Sequence, residues 1–203
     1  MNLLAHIYLS GDDDLIKLGN FMGDYVKGKR YLNYREPIQK GILLHRSIDS
    51  FTDHHKKPKK VKKLLRPVYH KYSGIVVDIF YDHFLTIHWE KFSNLPLGGF
   101  VEEFHQLLRN RFRILPAPVQ SFVPRMIEHK RLLSYGEMEG VRRALRVMSK
   151  YTSLPNETGY AMKVLSDHYD YFSDNFFDFF PKLIEHVKKH HGIDPRSPLR
   201  SSK

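Results

Sequence analysis

Apolar residues recur along this chain at steps of three and four and never alternate over a long stretch, so the pattern predicts helices and no strands. A short first helix is expected over residues 2–9, with Leu3, Leu4 and Ile7 inward and His6 among them. After an acidic turn at 11–14, Leu15, Leu18, Phe21, Met22 and Tyr25 mark a second helix over about 15–26. Pro37 opens a third, whose apolar stripe is Leu44, Ile48 and Phe51. Val61, Leu64, Leu65 and Val68 form the stripe of a fourth, otherwise filled by lysines. Further helices are predicted over 75–92, 100–115, 119–133 and 138–148, and a long aromatic-rich one over 160–190. The fold class is therefore all-α, a single-domain helical bundle of seven to nine helices spanning 1–191. Residues 192–203, GIDPRSPLRSSK, read as a disordered tail.

Several of these stripes carry polar residues where water is not expected. In GILLHRSIDSFTD, residues 41–53, His45 and Asp49 are four apart and share one strip of the helix, with Arg46 beside them. In IVVDIFYDHFLTIHW, residues 75–89, Asp78 and Asp82 share a face and His83 follows directly. Asp24 ends the segment GNFMGD, where Gly19 and Gly23, four apart, would admit another backbone or a ligand at close range. Burying carboxylates is costly unless they are paired, hydrogen-bonded or on a metal. One such helix reads equally well as an ion pair inside a core, but two with the same device point to a site shared between them.

Composition narrows the chemistry. With 203 residues, 41% hydrophobic and 27% charged, the chain suits one globular domain with a full core. It has no cysteine, which excludes disulfides, thiolate metal sites and a cysteine nucleophile. The N-terminus lacks the basic start of a signal peptide, and no apolar run is long enough to span a bilayer; a cytoplasmic protein is expected. The net charge of +11 is clustered: residues 54–71 hold eight Lys or Arg and no acid. A surface of that kind attracts an acidic partner, through Lys59, Lys60, Lys62 and Lys63 in particular, unless the lysines simply form a solvated face.

His6, Asp24, His45, Asp49, Asp78, Asp82 and His83 make a nitrogen-and-oxygen donor set without sulfur, suited to Mn²⁺, Mg²⁺ or Fe²⁺. A divalent ion held by His and Asp activates water and polarises a phosphoryl oxygen, with cations such as Arg46 offsetting phosphate charge. Metal-assisted phosphoester hydrolysis is the matching reaction class. The residues alone leave open an all-α binding protein with buried ion pairs, a phosphohydrolase acting on nucleotides, and a basic nucleic-acid-binding protein, although no nucleic-acid module is recognisable. No Walker loop, GxSxG, HExxH or GxGxxG sequence is present.

Five motifs, taken together, carry a resemblance. MNLLAH, GNFMGDYVKG, GILLHRSIDSFTD, VVDIFYDHFL with His88-Trp89, and SDHYDYF with FFPKL stand in the order seen in acyl carrier protein phosphodiesterases, over about residues 1–190. That family resembles a non-standard branch of the all-α HD-domain phosphohydrolases; the adjacent pair here is reversed, Asp82-His83. The resemblance implies hydrolysis of the phosphodiester that joins 4′-phosphopantetheine to holo-acyl carrier protein, with Mn²⁺ as the usual metal and an acidic carrier protein as partner. It implies His45, Asp49, Asp78 and Asp82, with His6, as the pool of metal ligands. Asp24, Arg46 and His83 would act on the water or the phosphate.

Overall fold

The computed structural model describes residues 3–195. Among these there are eleven α-helices, five short 3₁₀ segments and no strand. The helices are α1 (Leu3–Tyr8), α2 (Asp14–Phe21), α3 (Glu36–His54), α4 (Lys56–Tyr69), α5 (Ser73–Ile87), α6 (Leu97–Asn110), α7 (Ala117–Glu128), α8 (Arg131–Ser134), α9 (Met138–Tyr151), α10 (Thr158–Asp167) and α11 (Tyr169–His191). The count exceeds the expected seven to nine because apolar periodicity continues across two breaks. The predicted helix over 160–190 divides at His168, where the backbone leaves helical geometry between α10 and α11. The helix predicted over 119–133 divides at Lys130, whose φ of 46° lies in the left-handed region. One hydrophobic cluster runs from Leu4 on α1 to Val187 on α11, with Phe80, Tyr81, Phe84, Phe172, Phe176, Phe179 and Phe180 fully buried in it. The expected tail lies mostly outside the described residues. Within its described part Ile193 packs against the core, and Lys188 donates to Asp194 at 2.6 Å.

Two features of this bundle position the site. The first is the crossing of α2 and α3. A Cβ added to Gly19 would stand 2.2 Å from the Ile38 carbonyl oxygen, and one on Gly41 would stand 2.1 Å from that of Ile16. The two backbones are therefore in direct contact, closer than any side chain would permit. Farther along the same crossing, a Cβ on Gly23 would lie 2.3 Å from the His45 ring. This is also why α2 stops at Phe21, short of the predicted residue 26: the chain turns over the imidazole as a 3₁₀ segment, Gly23–Tyr25.

The second feature is the anchoring of α1. Its first amides are held by Asp82 on α5, whose carboxylate accepts from the Leu4 amide at 2.9 Å and from the Ala5 amide at 3.2 Å. A six-residue helix has little stability of its own, so these bonds and its apolar face fix where His6 stands.

Candidate functional site

The imidazoles of His6 and His45 meet where α1, α2 and α3 converge. They stack with ring centroids 4.2 Å apart and 19° between planes. Their orientation is set by Asn20 of α2, which is fully buried. Its amide nitrogen donates to the His6 carbonyl oxygen at 2.8 Å and to Ser10 Oγ at 2.9 Å, so its Oδ1 is left to accept from His6 Nδ1 at 2.8 Å. Its backbone carbonyl accepts from His45 Nδ1 at 2.9 Å. Both rings thus carry their proton on Nδ1, and both turn Nε2 toward Asp49. His6 Nε2 is 3.2 Å from Asp49 Oδ1, and His45 Nε2 is 3.1 Å from Asp49 Oδ2. Asp24, on the 3₁₀ segment, stands 3.4 Å from His45 Nε2.

Neutral rings in these tautomers would point lone pairs at carboxylate oxygens, an arrangement that positive charge stabilises. A proton on His45 can supply it. Burial, the largest single influence, would lower the pKa of that ring, but Asp24 and Asp49 outweigh it and raise it to about 9. Burial pushes Asp49 up, yet nearby positive charge, followed by its pairing with His45 and His6, holds it far below the ordinary carboxylate range. Asp24 is lowered by its hydrogen bond with His45. Burial lowers His6, and the neighbouring His45 charge adds to that. A divalent cation would also supply positive charge. His6, His45 and Asp49 each offer a ligand atom within 4.8 Å of the others. His45 Nε2 is buried, with carboxylate oxygens of Asp49 and Asp24 3.1 and 3.4 Å away, the setting of a ligand-type nitrogen. The donor set suits a hard or borderline divalent ion.

This cluster opens onto a cleft of about 500 Å³. Asp24, Asp49, Asp53 and Asp78 line it together with Lys59, Lys62, Arg66, His70 and Lys71. Burial pushes the Asp78 carboxyl up, and the Lys62 charge is among the influences opposing this. A pocket lined by both ligand-type acids and cations can hold a metal and a phosphate together.

Of the remaining sequence candidates, Asp82, His83 and Arg46 do not line the cleft. Asp82 has both oxygens on the amides that open α1, and burial raises its pKa to about 7. His83 donates from Nδ1 to the Tyr135 carbonyl at 2.7 Å and accepts from the Tyr169 hydroxyl at 2.8 Å. Arg46 donates to the carbonyls of Val26 and Gly28, at 2.8 and 2.7 Å, and stacks on Tyr31. It thereby staples down the segment that carries Asp24. Lys59 and Lys62 face the cleft, whereas Lys60 and Lys63 are exposed on α4 away from it. Asn20, Ser10, Arg66, His70 and Lys71 did not emerge from the sequence as site residues. A fully polar Asn between two glycines, in an apolar helix, was the available signal for the first of them.

Residues 1–183 match the family model described as acyl carrier protein phosphodiesterase. An acyl carrier protein phosphodiesterase of Enterobacter sp. (strain 638) is 31% identical over 192 residues, 93% of this chain and 98% of its own. The protein of the same name from Klebsiella pneumoniae (strain 342) is 32% identical over 188 residues, 91% of this chain and 96% of its own. That of Pectobacterium atrosepticum is 27% identical over 189 residues, 93% and 98% of the two chains. No solved structure matches the chain.

Proposed function

The chain belongs to the acyl carrier protein phosphodiesterase family, and from that premise we propose that it is a metal-dependent hydrolase removing 4′-phosphopantetheine from holo-acyl carrier protein. The observation that carries the reading is the pair of imidazole Nε2 atoms turned onto Asp49, in a cleft lined by both acids and cations. His6, His45 and Asp49 would hold the metal, and Asp24 and Asp78 line the adjoining cleft. Mn²⁺ is the proposed ion. When bound, such an ion lowers the pKa of water and offsets charge on the phosphoryl oxygens.

The chain's own residues do the rest. In the overall hydrolysis a water oxygen bonds to phosphorus, the bond from phosphorus to the carrier's serine oxygen breaks, and that oxygen takes a proton. Asp24 has a side chain 70% exposed to solvent and a pKa below the ordinary range, so it is ionised at the mouth of the cleft, where it accepts a hydrogen bond from the attacking water and orients it. Asn20 keeps both histidines in the ligating tautomer. Arg46 serves by holding the Asp24 segment in place. Cations on the outer face of α4, Lys60 and Lys63 among them, receive the acidic carrier protein, which the net charge of +11 attracts from a distance.

The test is mass spectrometry of holo-acyl carrier protein incubated with this protein and Mn²⁺, beside a chelator control. Metal-dependent loss of the phosphopantetheine mass is the expected result. Bound metal with no loss would reject the substrate and move the reading to nucleotides or other phosphodiesters. No loss and no bound metal would reject the hydrolase.

A further inference from the structure

The lysine-rich helix α4 does not present all its cations to one partner. Lys59, Lys62 and Arg66, spaced i, i+3 and i+7, line the cleft, while Lys60 and Lys63 are exposed outside it. Lys62 differs from its neighbours in three ways. Its side chain is only 14% exposed, in contrast to the solvated lysines on either side. Its ammonium donates to Asp53 Oδ1 at 2.9 Å, which fixes one of three N–H donors and leaves two for a ligand. It also lies against a glycine: a Cβ on Gly74 would stand 3.1 Å from Lys62 Nζ and 3.3 Å from Cε. Gly74, Asp53 and Asp78 line the same cleft. The head of this lysine is thus held in a slot of the cleft wall, with little side-chain freedom left to lose on binding.

We propose that Lys62 contacts the substrate's phosphoryl group inside the cleft and so takes part in hydrolysis itself, unlike the exposed lysines of α4, which serve the partner protein. The class of ligand is a phosphate ester, or free phosphate, whose non-bridging oxygen accepts from the ammonium. Asp53 is a positioning residue that holds the Lys62 ammonium in the cleft lining. This inference rests on the phosphohydrolase reading above.

The experiment uses the full chain loaded with Mn²⁺ and two substrates, holo-acyl carrier protein and the small diester bis(p-nitrophenyl) phosphate. In parallel, calorimetry follows binding of inorganic phosphate and of the metal. Lys62→Met is expected to lower kcat/KM about 100-fold on both substrates. Phosphate should bind about tenfold more weakly, and Mn²⁺ affinity should stay within about threefold. Lys62→Arg should regain part of the loss, and Asp53→Asn should give a smaller loss in the same direction on both substrates. If Lys62→Met slows only the carrier protein and leaves phosphate binding intact, Lys62 is a docking residue and the proposal is overturned. If the wild-type protein cleaves neither substrate, the functional reading fails, and phosphate calorimetry still decides this one. Weakened binding in Lys62→Met upholds the phosphate contact, and unchanged binding rejects it.

Discussion

Asn20 grips His6 with both ends of its side-chain amide and His45 with its backbone carbonyl, so one buried residue sets the tautomer of two ligand-type histidines. Removing its amide would leave the His6 carbonyl, Ser10 and His6 Nδ1 to find other partners in a dry interior. Asn20→Ala is expected to cost about 2–3 kcal/mol of stability and to weaken Mn²⁺ binding by 10- to 100-fold. Denaturant titration and metal calorimetry on the same variant check this. Unchanged metal affinity in a folded Asn20→Ala protein would show that the rings are held by packing alone.

The contact of α2 with α3 gives a second expectation, independent of any metal. Gly19 and Gly41 face each other's backbones, so a methyl at either must push the helices apart. Gly19→Ala should lose about 3 kcal/mol or more, or fail to accumulate. Gly98→Ala is the contrast, because nothing stands within 4 Å of a Cβ there and it lies in α6. It should be neutral or stabilise by up to about 1 kcal/mol. Thermal melts of the two variants compare them directly, and equal melting points would contradict the close crossing.

These glycines illustrate what could be read beforehand. The spacing of Gly19 and Gly23 announced a close approach, and periodicity announced helices, because both are local properties of the chain. Which face met which was not local. Asp78 and Asp82 looked equivalent, four apart on one apolar helix, yet one lines the cleft and the other caps α1. His6 and Asp49, 43 residues apart, meet only because α1 is pinned to α5 and α2 is pressed on α3. Arg46 and His83 stood beside motif residues in sequence but point roughly 100° round the helix from them; Arg46 is occupied by two backbone carbonyls, and His83 by one and by the Tyr169 hydroxyl. Helix breaks at His168 and Lys130 were hidden because neither carries a Gly or Pro signal.

The proton on His45 and a metal compete for the same nitrogen, which makes stability depend on pH in opposite ways with and without the ion. In metal-free protein the His45 pKa is raised from 6.5 to about 9. The folded state then holds this proton more tightly than the unfolded state. The stabilisation is fully present below about pH 6.5 and is lost as pH rises through 9, by on the order of 3 kcal/mol. The lowered carboxyls of Asp24 and Asp49 stay ionised across this range and so add no pH dependence to it. Metal binding displaces the proton, so Mn²⁺ affinity should rise up to about tenfold per pH unit toward pH 9. Melting curves at pH 6, 7, 8 and 9, with EDTA and with Mn²⁺, should diverge as pH increases, and the divergence should vanish in His45→Gln. Parallel curves across that range would mean that His45 carries no proton for the metal to replace.

The exposed lysines of α4 give the last expectation, which bears on the partner and not on the chemistry. Lys60 and Lys63 are solvent-exposed and line no part of the cleft, so their charge acts at long range and is open to screening. Reversing both, in Lys60→Glu with Lys63→Glu, changes the charge of this face by four while leaving the histidine cluster and its acids untouched. For an acidic carrier protein the encounter rate should fall and KM should rise at least tenfold at low ionic strength. The penalty should shrink toward threefold in about 0.5 M salt, where the screening length is only a few ångströms. For bis(p-nitrophenyl) phosphate, which needs no docking face, the change in kcat/KM should be at least tenfold smaller than for the carrier protein. Steady-state kinetics on both substrates at two salt concentrations measure this directly. Equal losses on the two substrates would place these lysines in the hydrolytic step, and no loss on either would return them to the solvated face that a lysine-rich helix ordinarily presents.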